Sequence, residues 1–111
     1  MKMSLRNTKK SGSVTVFTYK QGKGYLSVCL ELDIVKEGSN FSEITQEMIE
    51  SVIGHVQTVC KEGLSDGLLN RPAPAKYWKA YERFLDAQSG KETKKKVGSL
   101  SILPIADLCL A

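Results

Sequence analysis

Residues Gly24–Val52, GYLSVCLELDIVKEGSNFSEITQEMIESV, decide how this chain folds. Successive strand side chains point to opposite faces, so Leu26, Val28 and Leu30 share one face and Tyr25, Ser27 and Cys29 the other. Asp33 to Glu37 reads as a further short strand. Gly38-Ser39-Asn40 then stops the extended pattern, and Ser39 or Asn40 can cap a helix by accepting one of its free backbone N–H groups. From Phe41 to Lys61 the residues Phe41, Ile44, Met48, Val52, Val56 and Val59 recur at three- and four-residue steps, which is one face of a helix. Ile49, Ile53 and Cys60 widen that stripe, and Gly63 stands where a left-handed residue closes a helix. Gly54, inside the helix, is read as a mark of close packing. The Leu face of the strand is expected to pack on this helix.

Working outward, Val14–Lys20 (VTVFTYK) is rich in β-branched and aromatic side chains and predicts a strand. Gln21-Gly22-Lys23-Gly24 supplies the turn that makes a hairpin with Tyr25–Leu30. Beyond the helix, residues 64–73 read as a loop, and Pro74 suits the first turn of a second helix running to about Ala87. Tyr77, Trp78, Tyr81, Phe84 and Leu85 give that helix an apolar side. SLSILPI, residues 99–105, predicts a last strand, which Pro104 restricts to an edge or an end. The expected class is α+β: a three-stranded antiparallel meander packed on a long helix (β-β-β-α), then a second helix and a C-terminal strand. The chain divides into a flexible basic arm (1–13), a folded domain (14–88), a basic linker (89–97) and a C-terminal strand segment (98–111).

With 111 residues the chain suffices for one domain with a modest core. No apolar run approaches the ~20 residues that span a membrane. MKMSLRNTKK lacks the apolar stretch of a secretory signal. The three cysteines, Cys29, Cys60 and Cys109, are odd in number and form no CxxC element. They read as buried, inert thiols, not as a disulfide framework or zinc site, and fit a reducing cytoplasm. The net charge of +4 comes from Lys2, Arg6, Lys9 and Lys10 at one end and Lys91, Lys94, Lys95 and Lys96 near the other. What remains is slightly acidic, so the basic segments read as solvated tails, not as a dedicated nucleic-acid site.

Chemistry-bearing residues are sparse. His55, the single histidine, lies on the flank of the helical stripe with no nucleophile or base at an identifiable spacing. No phosphate loop is present. Glu31, Asp33 and Glu37 cluster on the second and third strands. They could hold Mg²⁺ for phosphodiester cleavage, or form an acidic surface for a basic protein partner. The second reading is preferred, with Tyr25 and Ser27 added as partner-binding residues. Tyr77, Trp78, Tyr81, Leu100 and Ile102 are candidate contacts for a homodimer or higher oligomer, since an unpaired strand edge invites a second chain. No catalytic residue, metal ligand or cofactor is assigned.

The order of these signals resembles the HicB-like antitoxin family. Tyr25-Leu26-Ser27-Val28-Cys29-Leu30-Glu31-Leu32 looks like that family's Y-x-x-x-x-P-E-L strand, with Leu30 where Pro is frequent. Gly38-Ser39-Asn40-Phe41-Ser42-Glu43 is similar to its G-D-T-x-E-E-A strand-to-helix step, with Ile44 where a small residue is usual. Asn70-Arg71-Pro72-Ala73-Pro74 followed by Tyr77-Trp78 resembles the Pro-rich loop and aromatic helix of some members. The resemblance spans roughly residues 14–86. It implies a partial ribonuclease-H-like scaffold without a working active site, and a HicA-like, RNA-cleaving toxin as partner. The C-terminal segment is too short for the complete helix-turn-helix or ribbon-helix-helix module of many members, which argues against DNA binding. The expected function is therefore a non-catalytic, cytoplasmic antitoxin or binding module. The alternatives are an orphan oligomeric domain without a toxin and a Mg-dependent nuclease using Glu31, Asp33 and Glu37.

Overall fold

The β-branched and aromatic run from Ser13 to Gln21 forms β1, and Gly22 (φ +62°) turns the chain back into β2, Gly24–Cys29. The computed structural model describes residues 6–89 and 98–110. It continues through β3 (Ile34–Gly38), α1 (Phe41–Lys61), a 3-10 turn (Asp66–Leu69), α2 (Ala75–Ser89), β4 (Gly98–Pro104) and α3 (Ile105–Leu110). The strands make one antiparallel sheet in the order β3-β2-β1-β4. The fold is thus α+β as expected, with the C-terminal strand returned beside β1. Of the expected basic linker, residues 90–97 lie outside the described residues.

α1 starts and stops where its caps dictate. The Asn40 side chain accepts the Glu43 N–H at 2.9 Å. At the other end Gly63 (φ +62°) lets Leu64 N–H reach the Val59 carbonyl at 2.9 Å, which satisfies a free carbonyl of the last turn. Gly54 does not mark close packing: it is exposed, and a Cβ there would meet nothing within 4 Å. Close packing requires glycine elsewhere: a Cβ on Gly24 would lie 2.8 Å from the Gly38 carbonyl oxygen across the β2–β3 pair, and one on Gly98 2.6 Å from the Thr18 carbonyl oxygen across β1–β4.

The sheet is covered on both faces. Val14, Val16 and Cys29 meet Met48, Val52, Val56 and Val59 of α1, with Leu69 and Ile105 completing that layer. Phe17, Leu26, Val28 and Leu30 face the other way and pack with Ala73 and Trp78, flanked by Tyr81 and Phe84 of α2. The Leu face therefore packs on α2, not on α1 as expected. Period-two alternation says which residues share a face but not which helix covers it. The α1 side of β2 instead carries Ser27, fully buried, whose hydroxyl shares a 2.8 Å hydrogen bond with Thr18. Thr45 of α1 donates to the Thr18 hydroxyl at 3.0 Å, so the polar atoms inside this layer are satisfied.

Three further expectations are corrected. The arm is not free over its described part. Asn7 is buried, donates to the Leu69 carbonyl at 3.0 Å and accepts Ser13 N–H at 3.1 Å, while its own N–H goes to Asn70 at 2.7 Å. Residues 105–110 are helix, with Ile105 fully buried and its N–H bonded to the Gly12 carbonyl. Cys60 and Cys109 are joined as a disulfide, Cα–Cα 5.6 Å, bringing together positions 49 apart in sequence. Closing a loop of that length removes about 4 kcal/mol of chain entropy from the unfolded state in the simple polymer account. An odd cysteine count had argued against any bridge, but it excludes only the pairing of all three. Cys29 is the remaining free thiol, and burial, reinforced by the nearby Glu31 charge, pushes it up to about 12.

Candidate partner-docking surface

The sheet edges are set by which backbone groups are already spoken for. Leu30 N–H donates to the Thr15 carbonyl at 3.0 Å and extends the β1–β2 ladder in register. In an antiparallel sheet the direction of these groups alternates residue by residue. Leu26 and Val28 therefore bond toward β1, and Tyr25, Ser27 and Cys29 toward β3, where they meet Gly38, Lys36 and Ile34. Val35 and Glu37 are left with backbone N–H and C=O directed outward from the β3 edge. The same argument applied to the Ile105 N–H to Gly12 bond leaves Gly98, Leu100 and Ile102 directed outward from the β4 edge. Pro104, in the same phase, has no N–H to waste there.

The expected acidic trio does not act as a unit. Asp33 and Glu37 are exposed, but Glu31 is buried. Its carboxylate accepts Thr15 N–H at 2.6 Å and the Thr15 hydroxyl at 2.9 Å. Burial raises the Glu31 carboxyl above its ordinary value, and the two Thr15 bonds partly counter it. Its main-chain carbonyl takes Arg71 N–H, which seats the 70–73 loop on the end of β2. Glu31 thus ties strands and loop together, and its carboxylate is not part of the exposed acidic surface expected of it. Ser27, buried beneath α1, is likewise withdrawn from the surface. Among the described residues no group of three His, Cys, Asp or Glu side chains could hold a metal ion, so Glu31, Asp33 and Glu37 do not make the Mg²⁺ site that their spacing allowed.

What stays exposed along β3 is Val35, Glu37 and, at the entry to the strand, Asp33. Asp33 holds a left-handed backbone (φ 56°), a conformation Asp tolerates better than most residues. Tyr25 and Glu37 line a shallow surface depression of about 470 Å³ together with Gln21, Lys23, Leu26 and Ser39. Tyr25 also stacks edge-on against Phe41, 5.3 Å between ring centres, which fixes its ring at the start of α1.

The expected oligomer contacts divide in the same way. Trp78 is buried between α2 and the sheet, with its indole N–H lacking a hydrogen-bond partner among the described residues. Tyr77, Tyr81 and Leu100 pack against the same cluster and are half-buried. Only Ile102 stands clear, 57% exposed on the β4 edge. His55 gives its Nε2–H to the Leu68 carbonyl at 2.8 Å and serves to pin the 3-10 turn to α1.

Spacing found the exposed Asp33, Glu37 and Ile102 but could not separate them from Glu31 and Ser27. The missed signal was Thr15 on the neighbouring strand, whose hydroxyl offers a carboxylate a partner. Comparison with family models finds no match, and comparison with curated proteins and with solved structures finds no significant relative.

Proposed function

We propose that this chain is a non-catalytic, HicB-like antitoxin or binding module that neutralises a HicA-like, RNA-cleaving toxin by protein–protein contact. The observation that carries this reading is the open β3 edge. Among the described residues no strand pairs with the outward backbone groups of Val35 and Glu37, and the Asp33 and Glu37 side chains stand exposed beside them. An extended segment of a basic partner can add there as a further strand, with main-chain bonds giving affinity and the two carboxylates steering the approach. The part the trio was expected to play falls to Asp33 and Glu37, with Tyr25 and the depression beside it at one end of the edge.

Val35→Pro tests this directly. The Val35 N–H is not part of the sheet's own ladder, so the substitution removes an outward donor and leaves the β2–β3 pairing in place. The purified chain is mixed with a basic HicA-type toxin from the same genome, and affinity is read by calorimetry. The expected result is a loss of roughly tenfold or more, with circular dichroism unchanged. Asp33→Lys combined with Glu37→Lys is expected to weaken the complex by about 1–2 kcal/mol and to remove most of its salt dependence. Unchanged affinity in both variants would take the β3 edge out of the proposal.

The β4 edge favours a second reading, an oligomeric interaction domain. From Gly98 to Ile105 the strand and its exit carry no charged residue, whereas β3 carries Lys36 and Glu37. Charges are a common means of blunting an edge against self-pairing. With Ile102 exposed at its centre, β4 suits an antiparallel twofold pair with a second copy. Ile102→Lys is expected to convert a dimer to monomer in analytical ultracentrifugation. A wild-type chain that is monomeric at all accessible concentrations would dismiss this reading.

A further inference from the structure

The helix that ends the described chain is short, anchored at its start by Ile105 and fastened at its far end by one covalent bond. α3 has six residues, far below the length at which a helix is stable alone. Ile105 at its start is fully buried, but Leu108 and Cys109, a turn later, are only partly so. The covalent link from Cys109 to Cys60, in the last turn of α1, is what fastens the far end. Their Cα separation of 5.6 Å lies in the ordinary range for a disulfide, so α1 and α3 need no backbone movement to be joined.

The pair is also within reach of solvent. Cys60 and Cys109 line a surface depression of about 180 Å³ with Gln57 and Lys61. Lys61 lines the same depression, which leaves the bond open to a small anionic disulfide from solvent. Cys29 gives the contrast within one molecule: fully buried, its thiol pushed up to about 12, and unable to take part in exchange.

We propose that Cys60 and Cys109 form a reversible thiol–disulfide clasp, exchanging with small disulfides of the glutathione type, and that its state decides whether α3 stays docked on α1. In closing, the thiolate of one cysteine attacks a sulfur of oxidised glutathione. This forms a mixed disulfide and releases one glutathione. The thiolate of the other cysteine then attacks the protein-side sulfur and releases the second. The two protein thiols give up two protons and two electrons, which the two reduced glutathione molecules carry away. Opening is the reverse, with reduced glutathione as the nucleophile. The clasp does not depend on what the β3 edge binds.

The full chain is equilibrated across a series of reduced-to-oxidised glutathione ratios. Thiol alkylation with mass spectrometry reads the bond, and hydrogen exchange reads the helix. At the oxidising end Cys29 is expected to be the single alkylatable thiol, reached only after denaturation, in a monomer lighter by two hydrogens. On reduction the amides of residues 106–110 are expected to lose protection about tenfold while those of β1 and β2 keep theirs. Cys109→Ser should show the reduced pattern at every ratio. Should that variant fail to fold, reduced wild-type chain makes the same measurement. The proposal is overturned if both thiols stay alkylatable at the most oxidising ratio, if the bond forms between chains, or if it closes without changing protection in α3.

Discussion

Replacing Phe17 with alanine is expected to remove about 3–5 kcal/mol of folding stability, the range for deleting a fully buried aromatic side chain. Phe17 is 1% exposed at the middle of β1. Its ring lies 4.8 Å from that of Tyr19, 5.1 Å from Phe84 and 5.9 Å from Tyr81. It is the residue through which the aromatic side of α2 meets the sheet, so truncation opens a void between the two layers instead of a gap that neighbours can fill. Two readouts separate this from a general loss of stability. The urea midpoint should fall, and the near-ultraviolet signal of the Tyr and Trp cluster should weaken, because α2 is seated by these rings. Phe17→Leu, which keeps most of the volume, should cost well under half as much. A loss below about 1 kcal/mol in Phe17→Ala, with the aromatic signal intact, would mean that α2 is held by something other than this cluster.

Glu31→Ala is expected to cost about 2–4 kcal/mol, because it strands two buried donors of Thr15 that now bond a carboxylate. Glu31→Gln should behave differently. Its amide oxygen can accept Thr15 N–H, and the Thr15 hydroxyl can turn to accept from the amide nitrogen, so the contacts survive and the buried charge is removed. The sign of the pH dependence follows from the raised carboxyl. A carboxyl whose folded value lies above its unfolded value of 4.5 contributes stability that is fully present below 4.5 and is lost as pH rises through the folded value. The wild-type chain should therefore lose ground to Glu31→Gln as pH rises from about 4.5 toward neutrality, and the two should converge on acidification. Paired urea titrations across this window give the difference directly, with all other titrating groups cancelling. A wild-type chain that instead gains on Glu31→Gln with rising pH would show that Thr15 outweighs burial and holds the carboxyl low.

The two substitutions bear on different parts of the function proposed. Phe17 maintains the layer beneath β4, whose edge carries Ile102. Glu31 fixes the end of β2 against Thr15 and the 70–73 loop, and so sets where Asp33 and β3 begin. Neither touches the exposed Val35, Asp33 or Glu37 directly. An effect of Glu31→Gln on partner affinity would therefore report a change in the position of the β3 edge, not the loss of a contact.

Much of this architecture was legible along the chain. The Phe41–Lys61 helix, a cap at Ser39 or Asn40, the Gly63 stop, the first hairpin and a last strand within residues 99–105 are legible in local patterns, because caps, turns and periodicity are settled within a few residues. α3 was not legible. Its six residues carry no amphipathic period long enough to read, and its anchor, Ile105, takes its N–H partner from Gly12 at the opposite end of the chain. The site was legible only as a set of candidates. Glu31, Asp33 and Glu37 look alike in sequence, and a buried partner on another strand is what separates the first from the others.

The sequence by itself determined the types of the four strands and two long helices, the two alternating faces of β2 and the absence of any apolar run long enough to span a membrane, since these depend on residue type and short-range spacing. The tertiary structure alone decided that the Leu face belongs to α2, that Glu31 and Ser27 are internal, that Asn7 is docked, that Cys60 meets Cys109, and that the outward-facing backbone groups of the open edges belong to Val35, Glu37, Leu100 and Ile102. Each of these rests on a contact between segments far apart in the chain. Such contacts depend on which layer covers which face and on the phase of hydrogen bonding between strands, and no local pattern encodes either.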